Sequence, residues 1–251
     1  MRILILDIET APNLAHVWGL WKQNVAINQI IEPGYVLSWA AKWYGEDEVS
    51  FSSIHHEDKL AMLIRIWNMI DEADAIVHFN GCRFDMPTLN REFLIHHMQP
   101  PSPYKHIDLL KTVKTQFSFP SNKLDYVSRV LKIGKKIKHY GHELWVECMA
   151  DDAASWEIMR EYNINDVLLT EKLYKRLLPW IKAHPNHNLF TDDDVTVCTN
   201  CGHTKLHSKG QVYTNAGIYQ RYKCTKCGAN MRGRTTMIPK AMKNNVVLGA
   251  H

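Results

Sequence analysis

The chain has 251 residues, 45% of them apolar and 22% charged, a composition that allows one substantial core and one small appendage. No stretch nears the roughly 20 apolar residues of a membrane span, and the N-terminal apolar run Ile3–Leu6 is cut by Asp7, too short for a secretory signal, so the expectation is a cytoplasmic protein with no membrane partner. The net charge of +4 hides an asymmetry, because residues 1–190 carry 21 Lys/Arg against 23 Asp/Glu and residues 191–251 carry nine against three. A basic tail beside an acidic body suits a polyanionic substrate, and equally suits a surface kept basic for solubility.

Arg2–Ile8 reads as a buried strand. Tyr35–Tyr44 and Val49–Ile54 read as two more, joined by the polar turn Gly45-Glu46-Asp47. The long segment between the first two holds Pro12, Pro33, Trp18 and Trp21, with the tryptophans expected to fill surface near a site. Apolar residues at Leu60, Leu63, Ile64, Trp67 and Ile70 predict a helix over Glu57–Asp71. Ala75–Phe79 is a short buried strand ending at Asn80-Gly81. Phe84–His97 is a helix stopped by Pro100, Pro101 and Pro103, and Tyr104–Ile107 is a fifth strand ending at Asp108. Asp108 suits a helix N-cap before Leu109 better than a place beside the site. Leu109–Phe117 and Leu124–Leu131 are helical, and Lys132–Lys138 is a basic loop. Asp151–Tyr162 and Asn163–Trp180 are helical with a break near Asn163. His78 reads as a hydrogen-bonded core residue, and His55-His56 and His96-His97 as surface pairs. Pro185 and Asp192–Asp194 mark a linker. The domains expected are 1–185, 195–235 and a tail over 236–251. Three strands followed by strands alternating with helices predict a mixed α/β sheet with helices on its faces.

Four carboxylates recur beside ordered motifs: Asp7-Ile8-Glu9-Thr10, then Asn80 with Phe84-Asp85, then Tyr162 with Asp166. Asp7 and Glu9 are two apart at a strand end and point the same way. Tyr162 and Asp166 are four apart and share a helix face. Gathered in space, these carboxylates would repel unless cations sat between them, and hard oxygen ligands suit Mg²⁺ or Mn²⁺. Each motif alone has a plainer reading: a solvated strand end, a helix start at Asp85 ahead of Pro87, a surface pair on a helix.

Taken in order, Asp7-Ile8-Glu9-Thr10, His78-Phe79-Asn80-Gly81-x-x-Phe84-Asp85 and Tyr162-Asn163-x-x-Asp166-Val167 resemble the three motifs of the DEDD-type 3′→5′ exonucleases. The tyrosine four before the last aspartate resembles the DEDDy branch, which includes proofreading domains of family A and family B DNA polymerases. The resemblance covers about residues 1–180 and implies a ribonuclease H-like fold. By that resemblance, Asp7, Glu9 and Asp166 hold the metal that carries the attacking water. Asp7 bridges to a second metal that Asp85 supports, and Tyr162 orients the water. Thr10, Asn80 and Phe84 take substrate or packing positions. A phenol of pKa about 10 is a poor base at neutral pH, which also favours orientation for Tyr162. Lys123 and the loop lysines Lys132, Lys135, Lys136 and Lys138 either contact a phosphate backbone or form a solvated loop.

Cys198-x-x-Cys201-Gly202 and Cys224-x-x-Cys227-Gly228 resemble a zinc ribbon, two thiolate knuckles closing one structural Zn²⁺ site, with His203 and His207 as competing ligands. Lysines, arginines and Tyr213, Tyr219 and Tyr222 surround the knuckles, a mixture suited to a nucleic-acid strand or to a protein partner. The expected function is a two-metal 3′→5′ exonuclease on single-stranded DNA or frayed 3′ ends, releasing 5′-mononucleotides. Proofreading would require a separate polymerase or other replication or repair protein. The alternatives are an exoribonuclease or oligonucleotide hydrolase with the same site, and a nucleic-acid-binding zinc-ribbon protein whose nuclease-like part is a scaffold.

Overall fold

The computed structural model describes residues 1–191 and 195–248. The acidic run Asp192–Asp194, expected in the linker, lies outside the described residues, as does the end of the tail from residue 249. The described residues fall into two compact units, Arg2–Lys175 and the chain from Arg176 on, together with Met1.

The larger unit is built on β1 (Ile3–Thr10), whose first four residues are apolar and buried. A strand apolar on both faces belongs in the middle of a covered sheet, and β1 lies there. After the short ribbon of β2 (Leu14–Ala15) and β3 (Ile30–Glu32), β4 (Val36–Trp43) returns antiparallel to β1 and β5 (Ser50–Ser53) adds an edge. Helix α1 (Lys59–Asp71) starts where Asp58 accepts the Leu60 and Ala61 N–H groups. It crosses to β6 (Ala75–His78), which pairs parallel with β1. Helix α2 (Asp85–Ile95) then leads to β7 (Lys105–Asp108), parallel to β6. The sheet order is β5-β4-β1-β6-β7, a mixed sheet with helices on its faces, as expected. Next come α3 (Leu109–Gln116), α4 (Leu124–Val130), α5 (His142–Met149) and α6 (Ala153–Leu177).

Alternation along β1 sorts its side chains. Leu4, Leu6 and Ile8 enter the core with Met62, Ile66 and Ile70 of α1 and Leu89 and Phe93 of α2. Asp7 and Glu9 therefore face the opposite side, where Asn163 of α6 reaches Asp7. A second core on Leu37 gathers Leu144 and Cys148 of α5 with Trp156 and Met159 of α6.

Three expectations need correction. Helix α6 runs without a break through Asn163, because that side chain bonds across to β1 and β4 and does not compete with its own helix backbone. Trp18 and Trp21 fill no surface: they are 97% and 84% exposed on the ribbon between β1 and β4. His55 is half-buried, stacked on Trp156 at 5.6 Å and paired with Asp151 at 2.6 Å, while the more exposed His56 lies 2.6 Å by Nδ1 from the Ser53 hydroxyl.

The second unit has a three-stranded antiparallel sheet, β8 (Leu206–Thr214), β9 (Gly217–Cys224) and β10 (Asn230–Thr236), with β9 in the middle, then the short α7 (Lys240–Lys243). Its buried cluster is small: Cys198, Cys224 and Ala229, with Cys201, Leu206, Cys227 and Met231 against them. Asn200 ties one knuckle to the segment after α6 by donating to the Leu178 and Ile181 carbonyls at 2.8 and 3.0 Å.

Candidate active site and metal centres

The end of β1 and one face of α6 meet at an acidic cluster. Asp7, Glu9 and Asp166 each offer a carboxylate oxygen within 4.8 Å of the others. Asp85 opens α2 without capping it. Its Oδ1 accepts the Ile8 N–H of β1 at 3.2 Å, so the fourth carboxylate is held against the strand that carries the first two. Asp85 and Asp166 are buried, and Asp7 and Glu9 are half-buried.

Burial and mutual repulsion strain this set. Asp7 is pushed well above the usual carboxylate range, first by burial and then by Asp85, Asp166 and Glu9. Glu9 rises to about 8, by burial and then Asp166. Asp85 rises to about 7, mainly by burial. Asp166 also rises by burial, although Lys136 opposes the shift. One cation is already drawn in. Lys136 Nζ lies 2.5 Å from Asp166 Oδ2 and donates to the Tyr162 hydroxyl at 2.8 Å. Burial works against that ammonium, but Asp166 and Tyr162 raise its pKa further. Asp166 Oδ1 is buried with no hydrogen-bond partner among the described residues. Oxygen donors, crowded negative charge and an orphaned buried carboxylate oxygen fit a hard divalent cation.

Other side chains hold the cluster in place. Asn163, fully buried, donates from Nδ2 to Asp7 Oδ2 at 2.8 Å and accepts from the Ser38 hydroxyl at 3.2 Å. Trp145 of α5 lies beside Glu9 and opposes the rise in its pKa. His139 and Trp145 pack edge-on against Tyr162 at 4.8 and 6.1 Å. Sequence reasoning placed Asn163 inside a motif without a task and missed Trp145 and α5. Neither carried a signal, since neighbours along a helix point in different directions and Asn163 need not follow Tyr162 inward.

Two clefts flank the cluster. The larger, about 560 Å³, is lined by Asp7, Asn80, Lys114, Lys123, Asp125 and Lys136. The smaller, about 280 Å³, is lined by Thr10, Asn13, Phe84, Thr88 and Arg91. Asn80 and Lys123 thus share a cleft with Asp7, whereas Thr10 and Phe84 lie on the other. Asn80 sits in the left-handed region at φ +75, its N–H held by Asp108 Oδ1 at 3.1 Å. The same Asp108 oxygen accepts the Leu110 N–H at 3.0 Å and so caps α3, as read from the sequence.

In the second unit the sulfurs of Cys198, Cys201, Cys224 and Cys227 lie within 4.8 Å of one another. Cys198–Cys227 and Cys201–Cys224 are both 3.6 Å apart. A disulfide is about 2.05 Å long, whereas four sulfurs at about 2.3 Å from one Zn²⁺ would be separated by about 3.8 Å. The set therefore fits a tetrahedral metal centre. Each knuckle closes alike, with the Gly202 N–H on the Cys198 carbonyl and the Gly228 N–H on the Cys224 carbonyl. Both glycines have φ positive, +68 and +80, where a side chain would be strained.

No curated protein matches the chain. Among solved structures it is similar to a family B DNA polymerase from the hyperthermophilic archaeon Pyrobaculum calidifontis, with 20% identity and a TM-score of 0.55 over 71% of this chain and 24% of that one. At that identity the likeness is one of fold, and the chain spans about a quarter of the polymerase's length. A family model, RNase_H_2 of the RNase_H superfamily, matches residues 4–178. The mixed sheet with its flanking helices is ribonuclease H-like, and, since that match takes in most of the sequence, the chain belongs to the RNase_H_2 family.

Proposed function

We propose that the protein is a 3′→5′ exonuclease of the DEDDy type, acting on single-stranded DNA or frayed 3′ ends and releasing 5′-mononucleotides. Two Mg²⁺ or Mn²⁺ ions would be held at the acidic cluster and one structural Zn²⁺ at the four cysteines. The observation that carries this reading is the convergence of Asp7, Glu9 and Asp166 within 4.8 Å, with Asp85 bonded to the backbone of the same strand. Divalent ions bound there would supply an activated water and stabilise the departing 3′-oxygen.

The chain's own residues have separate tasks. Asp7, Glu9 and Asp166 would hold one cation, and Asp85 with Asp7 would support a second. Tyr162 keeps its proton, since burial and then Asp166 push its pKa upward. Its oxygen accepts from Lys136, and its own O–H, which interacts with Asp166, is the donor that would orient a nucleophile by hydrogen bonding. It is a positioning donor and not a base. Lys123 and Lys136 line the larger cleft and would draw phosphates towards the cluster. Thr10 and Phe84, on the smaller cleft, would contact the terminal nucleotide, with the half-exposed Phe84 ring available for stacking. The four thiolates fill a tetrahedral shell and leave no position for substrate, so the zinc would be structural.

The test is product analysis on 5′- and 3′-labelled DNA and RNA strands with Mg²⁺ or Mn²⁺. Stepwise shortening from the 3′ end with mononucleotide release is expected, faster on DNA. Cutting of a circular single strand would refute the exonuclease reading, and faster digestion of the matched RNA would transfer the substrate to RNA. Binding without metal-dependent cleavage would reduce the cluster to a scaffold.

A further inference from the structure

From Arg176 to the end of the chain the only acidic residues are Asp192–Asp194, and from residue 195 on there are nine Lys/Arg and no Asp or Glu. An ordinary solvated surface intersperses both signs. The strand register sorts these charges. Paired residues of an antiparallel sheet point to the same face. Leu206 pairs with Cys224, and Met231 with Tyr222, and Leu206, Cys224 and Met231 form the buried cluster around the knuckles. The opposite face therefore holds the other pairs: His207 with Lys223, Lys223 with Asn230, and Arg221 with Arg232. All five of these side chains are exposed. Further along the same face of β9 lies Tyr219, with the Arg232 guanidinium 4.2 Å from its ring centre. A cleft of about 490 Å³ beside Lys223 is lined by His207, Lys209 and Lys226, which extends the positive surface towards the second knuckle.

Arg221 directly opposite Arg232 is a like-charge cross-strand pair, which weakens a sheet, and this unit contains no carboxylate within its strands to relieve it. A polyanion would. We infer that the outer face of β8-β9-β10 is a binding track for single-stranded nucleic acid, with Arg221, Lys223 and Arg232 on successive phosphates and Tyr219 under an unpaired base. Charge complementarity selects the polyanion, and the aromatic ring beside the cations selects a strand with free base faces. The choice of nucleic acid over other polyanions rests on the nuclease reading above.

The experiment is fluorescence anisotropy of the full chain with a labelled 20-nucleotide single strand, without added Mg²⁺ or Mn²⁺, across a salt series. The variant Arg221→Ser/Lys223→Ser/Arg232→Ser is compared with Lys205→Gln/Lys240→Gln/Lys243→Gln, which removes the same charge away from the pairs named. The outer-face variant is expected to bind at least tenfold more weakly, and its log–log salt slope to fall by about 2, since each single-strand phosphate contact contributes about 0.7. Tyr219→Leu is expected to lose about fivefold or more with the slope unchanged. The conservative Arg221→Lys/Arg232→Lys chain, which retains the charge, is expected to keep the wild-type slope. Equal losses in both triple variants, an unchanged slope in the outer-face variant, or equal affinity for a blunt duplex would overturn the proposal, as would tighter binding of a poly-glutamate peptide than of the oligonucleotide. Retained metal stoichiometry and circular dichroism verify that each variant is folded, and Tyr219→Leu, whose unchanged affinity would overturn the proposal, decides the matter if the serine triple is not. Cleavage of a dinucleotide with Mg²⁺ or Mn²⁺, followed in parallel, reports the acidic site alone. Face-dependent binding with no cleavage would sink the nuclease reading and leave this one standing, and cleavage without face-dependent binding would do the reverse.

Discussion

The acidic cluster and the cysteine cluster each gather ligand atoms within 4.8 Å, but their surroundings differ in kind. Asp7 and Glu9 end a strand at the middle of a five-stranded sheet, backed by a core that includes Trp39, Ile66, Ile70 and Phe93. That scaffold would fold whether or not cations arrive, and it holds mutually repelling carboxylates in place by force of packing. The cysteines have no such backing. The buried cluster around them consists of the ligands themselves plus Ala229, Leu206 and Met231. In one unit the fold makes the site, and in the other a metal held by the four cysteines would make the fold. The donor chemistry follows the same division, hard carboxylate oxygen in the acidic cluster and soft sulfur in the cysteine cluster.

The sharpest way to break this contrast is to remove the metal from each unit. Cys198→Ser should abolish tight zinc retention and unfold the unit from Arg176 on, a loss on the order of 10 kcal/mol of apparent binding energy. Hydrogen exchange should collapse there while amides of β1, β6 and α6 stay protected. Elemental analysis should give one zinc per wild-type chain and little in the variant. If the cysteine unit stays protected without metal, the contrast is wrong.

Asp7→Asn tests the other half. It keeps the shape and the acceptor for Asn163 but removes one of four crowded charges. Cleavage of a labelled strand should fall by about 10³-fold, the equivalent of several kcal/mol of lost charge stabilisation. Without added divalent ions the same variant should be more stable than wild type near pH 8, by about 1 kcal/mol or 2–4 °C in Tm. Raised carboxylate pKa values mean that the native state binds more protons than the unfolded chain as pH passes through that range. Repulsion therefore costs stability as pH rises through about 7, for Asp85, and about 8, for Glu9. Thermal scans at pH 5 and pH 8 check this, and a variant less stable at both would mean the carboxylates do not repel.

His78 gives the opposite dependence at a residue of the scaffold. It is fully buried, accepts the Gly81 N–H on Nδ1 at 3.0 Å and lies 3.1 Å by Nε2 from His106 Nδ1. Burial lowers its pKa to about 4, against the pull of Asp108. A depressed histidine is neutral in the fold, so its stability contribution is complete above about 6.5 and drains away as pH falls towards 4. The gap in unfolding free energy between wild type and His78→Gln should shrink by roughly 3 kcal/mol across that window. Urea titrations at pH 7 and pH 4 measure it, and a constant gap would place the acid sensitivity elsewhere.

How far the sequence discloses this architecture varies with the range of the signal. The continuous apolar run Ile3–Leu6 dictates a central strand, and Asp108 announces a helix start by local chemistry. The acidic motifs are legible because each lies next to its own strand end or helix face. Helix α5 is not, because it opens at Gly141 with no side-chain cap and buries only Leu144 and Cys148. The pairing of Lys136 with Asp166 is equally hidden, since it closes across 30 residues and is fixed by the geometry of α6, where composition shows only one lysine among several. The uninterrupted α6 is instructive too. Asn163 looks like a helix breaker by propensity, yet both of its amide atoms have partners on other strands, so tertiary bonding overrides the local preference.

The finest test of the contrast lies at that same Asn163. If packing holds the acidic site in shape, then a neutral side chain that touches Asp7 should matter to catalysis through orientation alone. Asn163→Ala removes the 2.8 Å bond to Asp7 and the 3.2 Å bond from Ser38, costing about 1–2 kcal/mol of stability. Asp7 would then be freer to turn, and kcat should drop about tenfold at saturating metal. The metal concentration needed for half-maximal rate should rise, because a mobile carboxylate is a poorer ligand than a fixed one. Asn163→Asp, nearly the same in shape, should fare worse, since it adds a negative charge beside Asp7 where repulsion is already unrelieved. If both variants keep wild-type kcat and metal dependence while losing only stability, then Asn163 is a core residue and β1 alone fixes the angle of Asp7.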